Sequence, residues 1–243
     1  MSEITSLLAL ENLRFRWPDD QRDTLTIPKL ELAKGARVFL KGQSGSGKTT
    51  LLSLLAGINT PTSGRIIVLG EELNALTASK RDQFRADHIG FIFQLFNLIP
   101  YLSVIENVTL ACKFSSRRNK RAIQKSGSLK AEALRLLTLL QLEDVVINKR
   151  AVAELSVGQQ QRVAAARALI GAPDLIIADE PTSALDTKTR EHFLKLLVQE
   201  CDQSGSSILF VSHDGALEKH FDRVIYLEDI NALDTQPKLG VKQ

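Results

Sequence analysis

A length of 243 residues leaves room for one large domain or two small ones, and 44% apolar with 24% charged residues is the composition of an ordinary globular chain with material for a real core. A formal charge of +3 does not by itself argue for nucleic acid, and the two cysteines, Cys112 and Cys201, lie far apart without metal-ligand spacing, as plain buried thiols of a reducing compartment do. No run approaches the ~18 apolar residues of a membrane span, and the apolar patch Leu7 to Leu10, preceded by Glu3, is too short for a signal peptide. The expectation is therefore a cytoplasmic chain that would reach a membrane only through a partner.

In chain order, Leu7 to Phe15, Leu25 to Leu32 and Ile66 to Leu69 read as strands, with turns at Asp19-Asp20 and Lys34-Gly35, so the early region looks antiparallel. Arg37 to Leu40 reads as a buried strand and Thr50 to Ala56 as a helix. Pro61 to Gly64 is expected to turn, Leu76 to Asp87 to be helical with Ser79 as a possible cap, and His88 to Phe93 to be a short buried strand ending at Gln94. After a loop, Leu95 to Pro100, a helix starts near Ser103. Residues 113–130 carry seven basic residues, Lys113, Arg117, Arg118, Lys120, Arg121, Lys125 and Lys130. They read as a solvated loop between helices, or else as a basic surface for lipid headgroups or a partner. Ala131 to Leu142 follows as an amphipathic helix. The apolar runs Leu175 to Ala178, Ile208 to Val211 and Val224 to Leu227, separated by helical stretches, predict an α/β fold with a parallel sheet covered on both faces. The polar tail after Asp229 is expected to be loose.

Three stretches carry chemistry. Gly42-Gln43-Ser44-Gly45-Ser46-Gly47-Lys48-Thr49-Thr50 fits G-x-x-x-x-G-K-[ST] between a strand and a helix. Its glycines bring bare N–H groups to an anion, Lys48 supplies a point charge for β and γ phosphates, and Thr49 offers a hydroxyl to Mg²⁺. The buried run Leu175 to Ala178 leads straight into Asp179 and Glu180. The first carboxylate can hold Mg²⁺ through its water shell, and the second can polarise an attacking water. Ser156 followed by Gln159 fits a capping box, so a helix begins there, with Gly158 near its N-terminus as a second anion site.

In this order the stretches resemble the ATP-binding subunit of ABC transporters, over nearly the whole chain. The phosphate loop is Gly42 to Thr49, the glutamine loop is centred on Gln94, and Leu155 to Gln159 looks like the family signature. Leu175 to Glu180 resembles the Mg²⁺ strand with its catalytic glutamate, Ser183 to Asp186 the loop that touches an opposite subunit, and His213 the switch histidine. Ile89 to Pro100, with Leu102-Ser103-Val104 and Glu106-Asn107-Val108, is similar to the LolD/MacB branch. The resemblance implies a phosphate-loop (RecA-like) core with a parallel sheet, an antiparallel β subdomain and an α-helical signature subdomain. As one domain over 1–243, the core and β subdomain would take residues 1–88 and 168–235, and the helical subdomain 95–167.

It further implies that two copies close head to tail on two ATP molecules. Residues Gly42 to Thr50 would bind phosphate, with Lys48 catalytic. Thr49, Gln94 and Asp179 would serve Mg²⁺, Glu180 would be the general base, and His213 would sense the γ-phosphate. Ser156, Gly158 and Gln159 would reach the nucleotide of the other copy, as would Asp186 from its loop. Trp17 would stack on adenine, with Phe15 as the alternative. An integral membrane permease of FtsX/MacB type is the implied partner, placing the chain on the inner face of the plasma membrane; nucleic acid is not expected. An FtsE-like ATPase that transmits force without moving solute is the competing reading. Val157 stands where the family usually has glycine. If Ser156 is the N-cap, Val157 is the first helical residue, needs only φ < 0, and leaves the site competent.

Overall fold

The computed structural model describes residues 6–147, 151–183 and 185–235. The chain opens with β1 (Ser6–Phe15), β2 (Leu25–Ala33), β3 (Arg37–Lys41), α1 (Lys48–Leu55), β4 (Ser63–Val68) and β5 (Glu71–Glu72). It continues through α2 (Ala78–His88), β6 (Ile89–Ile92), α3 (Val104–Lys113), α4 (Ser116–Ser126), α5 (Leu129–Leu139), α6 (Glu143–Ile147) and α7 (Val157–Leu169). It ends with β7 (Leu175–Asp179), α8 (Thr187–Ser204), β8 (Ser207–Val211), β9 (Arg223–Tyr226) and α9 (Leu227–Ile230).

One sheet is parallel, in the order β6-β7-β8-β3-β9; the other is antiparallel, in the order β2-β1-β4-β5. The apolar runs Leu175 to Ala178 and Ile208 to Val211 fall in the central strands β7 and β8, covered on both faces, whereas β9 is an edge strand with Arg223 and Tyr226 exposed. Successive side chains alternate between two cores. Ile176, Ala178, Ile208, Phe210 and Phe39 face the core shared with the helices, while Leu175, Ile177, Leu209, Val211, Val38 and Leu40 face the core shared with α1 and the antiparallel sheet. The fold is thus α/β with a parallel and an antiparallel sheet, and the carboxyl ends of β3, β7 and β8 lie side by side, where ligands of such sheets bind.

Local departures from the sequence reading have identifiable causes. The cap of α2 is Thr77, whose extended backbone lets its hydroxyl accept from the Lys80 N–H, and Ser79 lies inside the helix. Ser63 and Gly64 already belong to β4. Gly64 has φ +88°, and a Cβ there would sit 2.3 Å from the Asn12 carbonyl oxygen, so only glycine lets β4 approach β1 this closely. His88 ends α2 rather than starting β6, with its Nδ1 2.7 Å from an Asp174 carboxyl oxygen. The tail is not loose up to residue 235. Asn231 accepts from the Thr26 N–H at 2.7 Å and donates to the Thr24 carbonyl at 3.3 Å, and residues 236–243 lie outside the described ones.

The largest departure is the basic segment, which is no solvated loop. Residues Ser116–Ser126 form α4, capped by Ser115, and four of its five cations are tied down, while Lys120 lies on the exposed side. Arg118 is buried and Arg121 donates to the Ala172 carbonyl. Arg117 reaches Asp174 at 3.2 Å and Lys125 reaches Glu200 at 2.7 Å. Burial works to raise the Glu200 carboxyl, but Arg135 and Lys125 outweigh it and hold it below the ordinary range. A segment whose charges close on its own fold offers few of them to a lipid surface.

Candidate functional site

The loop after β3 turns tightly into α1. Gly45 and Gly47 have φ +79° and +99°, and Gly47 caps α1 without a side-chain hydrogen bond, leaving the first N–H groups of the helix for an anion. A Cβ at Gly42 would fall 2.7 Å from the Ser46 hydroxyl. Lys48 Nζ donates to the carbonyls of Gly42 and Gln43 at 2.8 and 2.7 Å, so the ammonium lies along the loop it serves. Glu228 in α9 accepts from the Gln43 N–H at 2.6 Å, and this backbone bond holds its carboxyl below the usual range.

At the end of β7, Asp179 Oδ2 accepts from the Thr49 hydroxyl at 3.2 Å. Burial holds the Asp179 carboxyl above its ordinary range, opposed by the Thr49 hydrogen bond and Lys48 and reinforced by the charge of Glu180. A desolvated carboxylate beside a hydroxyl is a pair of hard oxygen donors of the kind that suits Mg²⁺. Among the described residues no group of three or more His, Cys, Asp or Glu forms a protein-only cage.

Glu180 follows at φ +48°, its N–H donating to the Val211 carbonyl at 3.0 Å. This left-handed step turns its side chain toward His213 at the end of β8, whose Nδ1 is 3.0 Å from Glu180 Oε1. Glu180 Oε2 is buried and has no hydrogen-bond partner among the described residues, an expensive state for a carboxylate oxygen.

These groups share one cavity of about 640 Å³. Of the predicted residues, Trp17, Gly42, Ser44, Gly45, Gly47, Lys48, Thr49 and Thr50 line it from one side, and Gln94, Asp179, Glu180 and His213 from the other. Gln43 and Ser46 belong to the loop without lining the cavity. Phe15 is buried at 5% exposure, whereas Trp17 is 42% exposed and stands edge-on to it at 4.9 Å, so Trp17 is the ring on the cavity wall. Sequence reasoning missed Asp20, Thr24 and Ser183 in the lining. The Asp19-Asp20 turn was the available signal for Asp20, and the Ser183 to Asp186 loop for Ser183; Thr24 and Glu228 have none.

Ser156, Gly158, Gln159 and Asp186 lie outside this lining. The predicted capping box is present: Ser156 Oγ accepts from the Gln159 N–H at 3.3 Å, and Gln159 Oε1 accepts from the Ser156 N–H at 3.0 Å. Val157 is the first residue of α7, 52% exposed, and takes no positive φ. Asp186 caps α8, its Oδ1 accepting from the N–H groups of Lys188 and Thr189, both at 3.1 Å. Its neighbour Ala184 lies outside the described residues.

The ABC transporter family model matches residues 25–183. The chain is 39% identical to the uncharacterized ABC transporter ATP-binding protein MJ0796 of Methanocaldococcus jannaschii, over 82% of this chain and 83% of that one. It is 35% identical to the lipoprotein-releasing system ATP-binding protein LolD of Francisella tularensis, over 92% of this chain and 94% of LolD. It is 36% identical to the macrolide export ATP-binding/permease protein MacB of Shigella flexneri, over 97% of this chain but 35% of that longer protein. The dimeric structure of the MJ0796 cassette in a post-hydrolysis state, bound to ADP and Pi, superposes with a TM-score of 0.78 at 34% identity, covering 90% of this chain and 93% of that one. The family match, the identities over most of the chain and the shared fold show that the chain belongs to the ABC transporter family as an ATP-binding and ATP-hydrolysing subunit of the LolD/MacB type.

Proposed function

We propose that the cavity binds ATP with Mg²⁺ and hydrolyses it only when a second copy closes over it. The observation that carries this reading is Glu180 Oε2, buried without a hydrogen-bond partner among the described residues, beside His213 in the same cavity as the phosphate loop. The loop N–H groups and Lys48 hold the phosphates, and Trp17 stacks on the adenine. Thr49, Gln94 and Asp179, the last through water, are the residues for Mg²⁺, which when bound neutralises phosphate charge. Glu180 takes the proton of the attacking water, and His213 contacts the γ-phosphate. Ser156, Gly158 and Gln159, outside the lining of their own cavity, complete the site of the other copy, with Asp186 and its loop at the seam. This is why one chain carries two anion-binding helix starts.

The membrane partner is a permease of FtsX/MacB type, met on the inner face of the plasma membrane; no described helix is itself long and apolar enough to cross a membrane. A groove of about 530 Å³ beside the Gln94 strand is its docking place, lined by Phe91, Phe93, Asn97, Phe114, Arg85 and Arg167 among others. Leu95, Phe96, Leu98 and Glu106 are not in its lining. Glu106 is held in the capping box of α3, and Leu98 packs against the core. The helices between residues 95 and 167 act as the signature subdomain on a core built from 1–88 and 168–235.

The dimer requirement is tested by dilution. In the dilute limit ATPase activity is expected to rise as the square of protein concentration; strict proportionality over a ~100-fold range would show that a single copy suffices. The valine of the signature is tested by Val157→Gly. Since Val157 sits in ordinary helical backbone, the rate is expected to change by less than about tenfold, and a larger rise in ATPase rate would show that the isopropyl group obstructs the site.

A further inference from the structure

Arg190, in the first turn of α8, joins two loops that flank the catalytic pair. Its Nη1 is ion-paired with Asp214 and its Nη2 donates to the Leu185 carbonyl at 2.9 Å. Asp214 follows His213 directly and caps the short helical turn Gly215–His220, its other oxygen accepting from the Ala216 N–H at 3.0 Å. Burial works to raise the Asp214 carboxyl, but the Ala216 N–H, first, and Arg190 hold it below its usual range. His213 is 75% exposed in its side chain and touches Glu180 at 3.0 Å, so the imidazole depends on the turn that carries it for its direction. On the other side, Leu185 is buried and packs on Gly158, where an added Cβ would lie 3.0 Å from its Cδ2. One guanidinium thus fastens the His213 turn to the loop that rests against the start of the signature helix.

We propose that Arg190 is a positioning residue for His213 and Glu180, tying their placement through Leu185 to the N-terminus of α7. This rests on the roles given above to Glu180 and His213. The fork geometry is what the position needs. A guanidinium can hold a carboxylate with one nitrogen and a carbonyl with the other, whereas an ammonium is a single point charge. Without it, the Asp214 turn and the Leu185 carbonyl separate, and His213 loses its fixed approach to Glu180.

The test compares Arg190→Ala, Arg190→Lys, Asp214→Ala and the double variant Arg190→Ala/Asp214→Ala in the full chain, with thermal melting to show that each is folded. Arg190→Ala is expected to lower kcat about tenfold or more while the Kd for a fluorescent ATP analogue stays within about twofold, because the residue touches no nucleotide. Arg190→Lys is expected to recover about threefold or more of the lost rate, and the double variant to be no slower than the worse single one, since both cut the same tie. An Arg190→Ala kcat within about twofold of the parent overturns the proposal, as do a rate loss matched by lost nucleotide affinity and losses that multiply in the double variant. Failure of the underlying reading looks different: a parent protein without ATPase activity, or a Glu180→Gln variant as active as the parent.

Discussion

Glu180→Gln is expected to bind ATP as the parent does, to turn it over about 10²–10⁴-fold more slowly, and to accumulate as a closed dimer when ATP and Mg²⁺ are present. The amide keeps the size of the carboxylate and the contact between Oε1 and His213, so the cavity keeps its shape. What disappears is the base. Binding energy from phosphate loop and signature helix stays intact, so the closed state forms and then has no exit through hydrolysis. Gel filtration with ATP and Mg²⁺ should show a dimer peak for this variant. A monomer peak at saturating ATP, or ATPase activity within about tenfold of the parent, would remove Glu180 from the role of general base. A second consequence separates this residue from a structural one. Glu180 Oε2 is buried without a partner among the described residues, and a neutral amide is cheaper to hold there than a carboxylate. The variant should therefore melt no lower than the parent, as happens where a site keeps strain for function.

Residues with a fixed chemical task at a fixed spacing were readable. The phosphate loop, the acidic end of β7 and the Ser156–Gln159 box each combine a backbone requirement with a side-chain requirement, and all three sit where their spacing placed them. The central parallel strands β7 and β8 were legible because burial on two faces leaves their runs Leu175 to Ala178 and Ile208 to Val211 wholly apolar. What could not be read is contact between distant parts of the chain. Glu228 closes on Gln43 across 185 positions, and a glutamate followed by an aspartate after a strand carries no mark of that task. Thr24 reaches the cavity from the first β-turn region by chain path alone. Phe15 ends β1 and Trp17 lies two residues beyond it, and only the fold reveals which ring is buried. In residues 113–130 the charges are plain in the sequence, but their partners, Asp174, Glu200 and the carbonyls at the end of α7, lie about fifty or more positions away.

Arg118→Met is the stability counterpart of that lesson, with an expected loss of about 3–5 kcal/mol in a denaturant titration. Arg118 is 3% exposed, and its guanidinium donates to the carbonyls of Ile170 at 2.8 Å, Ile89 at 3.4 Å, Arg167 at 3.2 Å and Ala168 at 2.6 Å. Burial pushes its pKa down to about 10, so it still carries its charge at neutral pH. Three of those carbonyls belong to the end of α7 and the residue after it, where the helix has run out of N–H donors; the fourth belongs to β6, the strand that leads to Gln94. Methionine fills much of the volume and satisfies none of them, so the cost is that of stranded acceptors rather than of a cavity. Lys120→Met, on the exposed face of the same helix, should stay within about 0.5 kcal/mol of the parent. Equal effects at the two positions would mean that the helix surface, not the buried guanidinium, holds α4 in place. Because the same side chain spans β6 and α7, its loss loosens the joint between the Gln94 strand and the signature helix. ATPase activity of Arg118→Met should accordingly fall at temperatures where the parent is unaffected, before the chain as a whole unfolds.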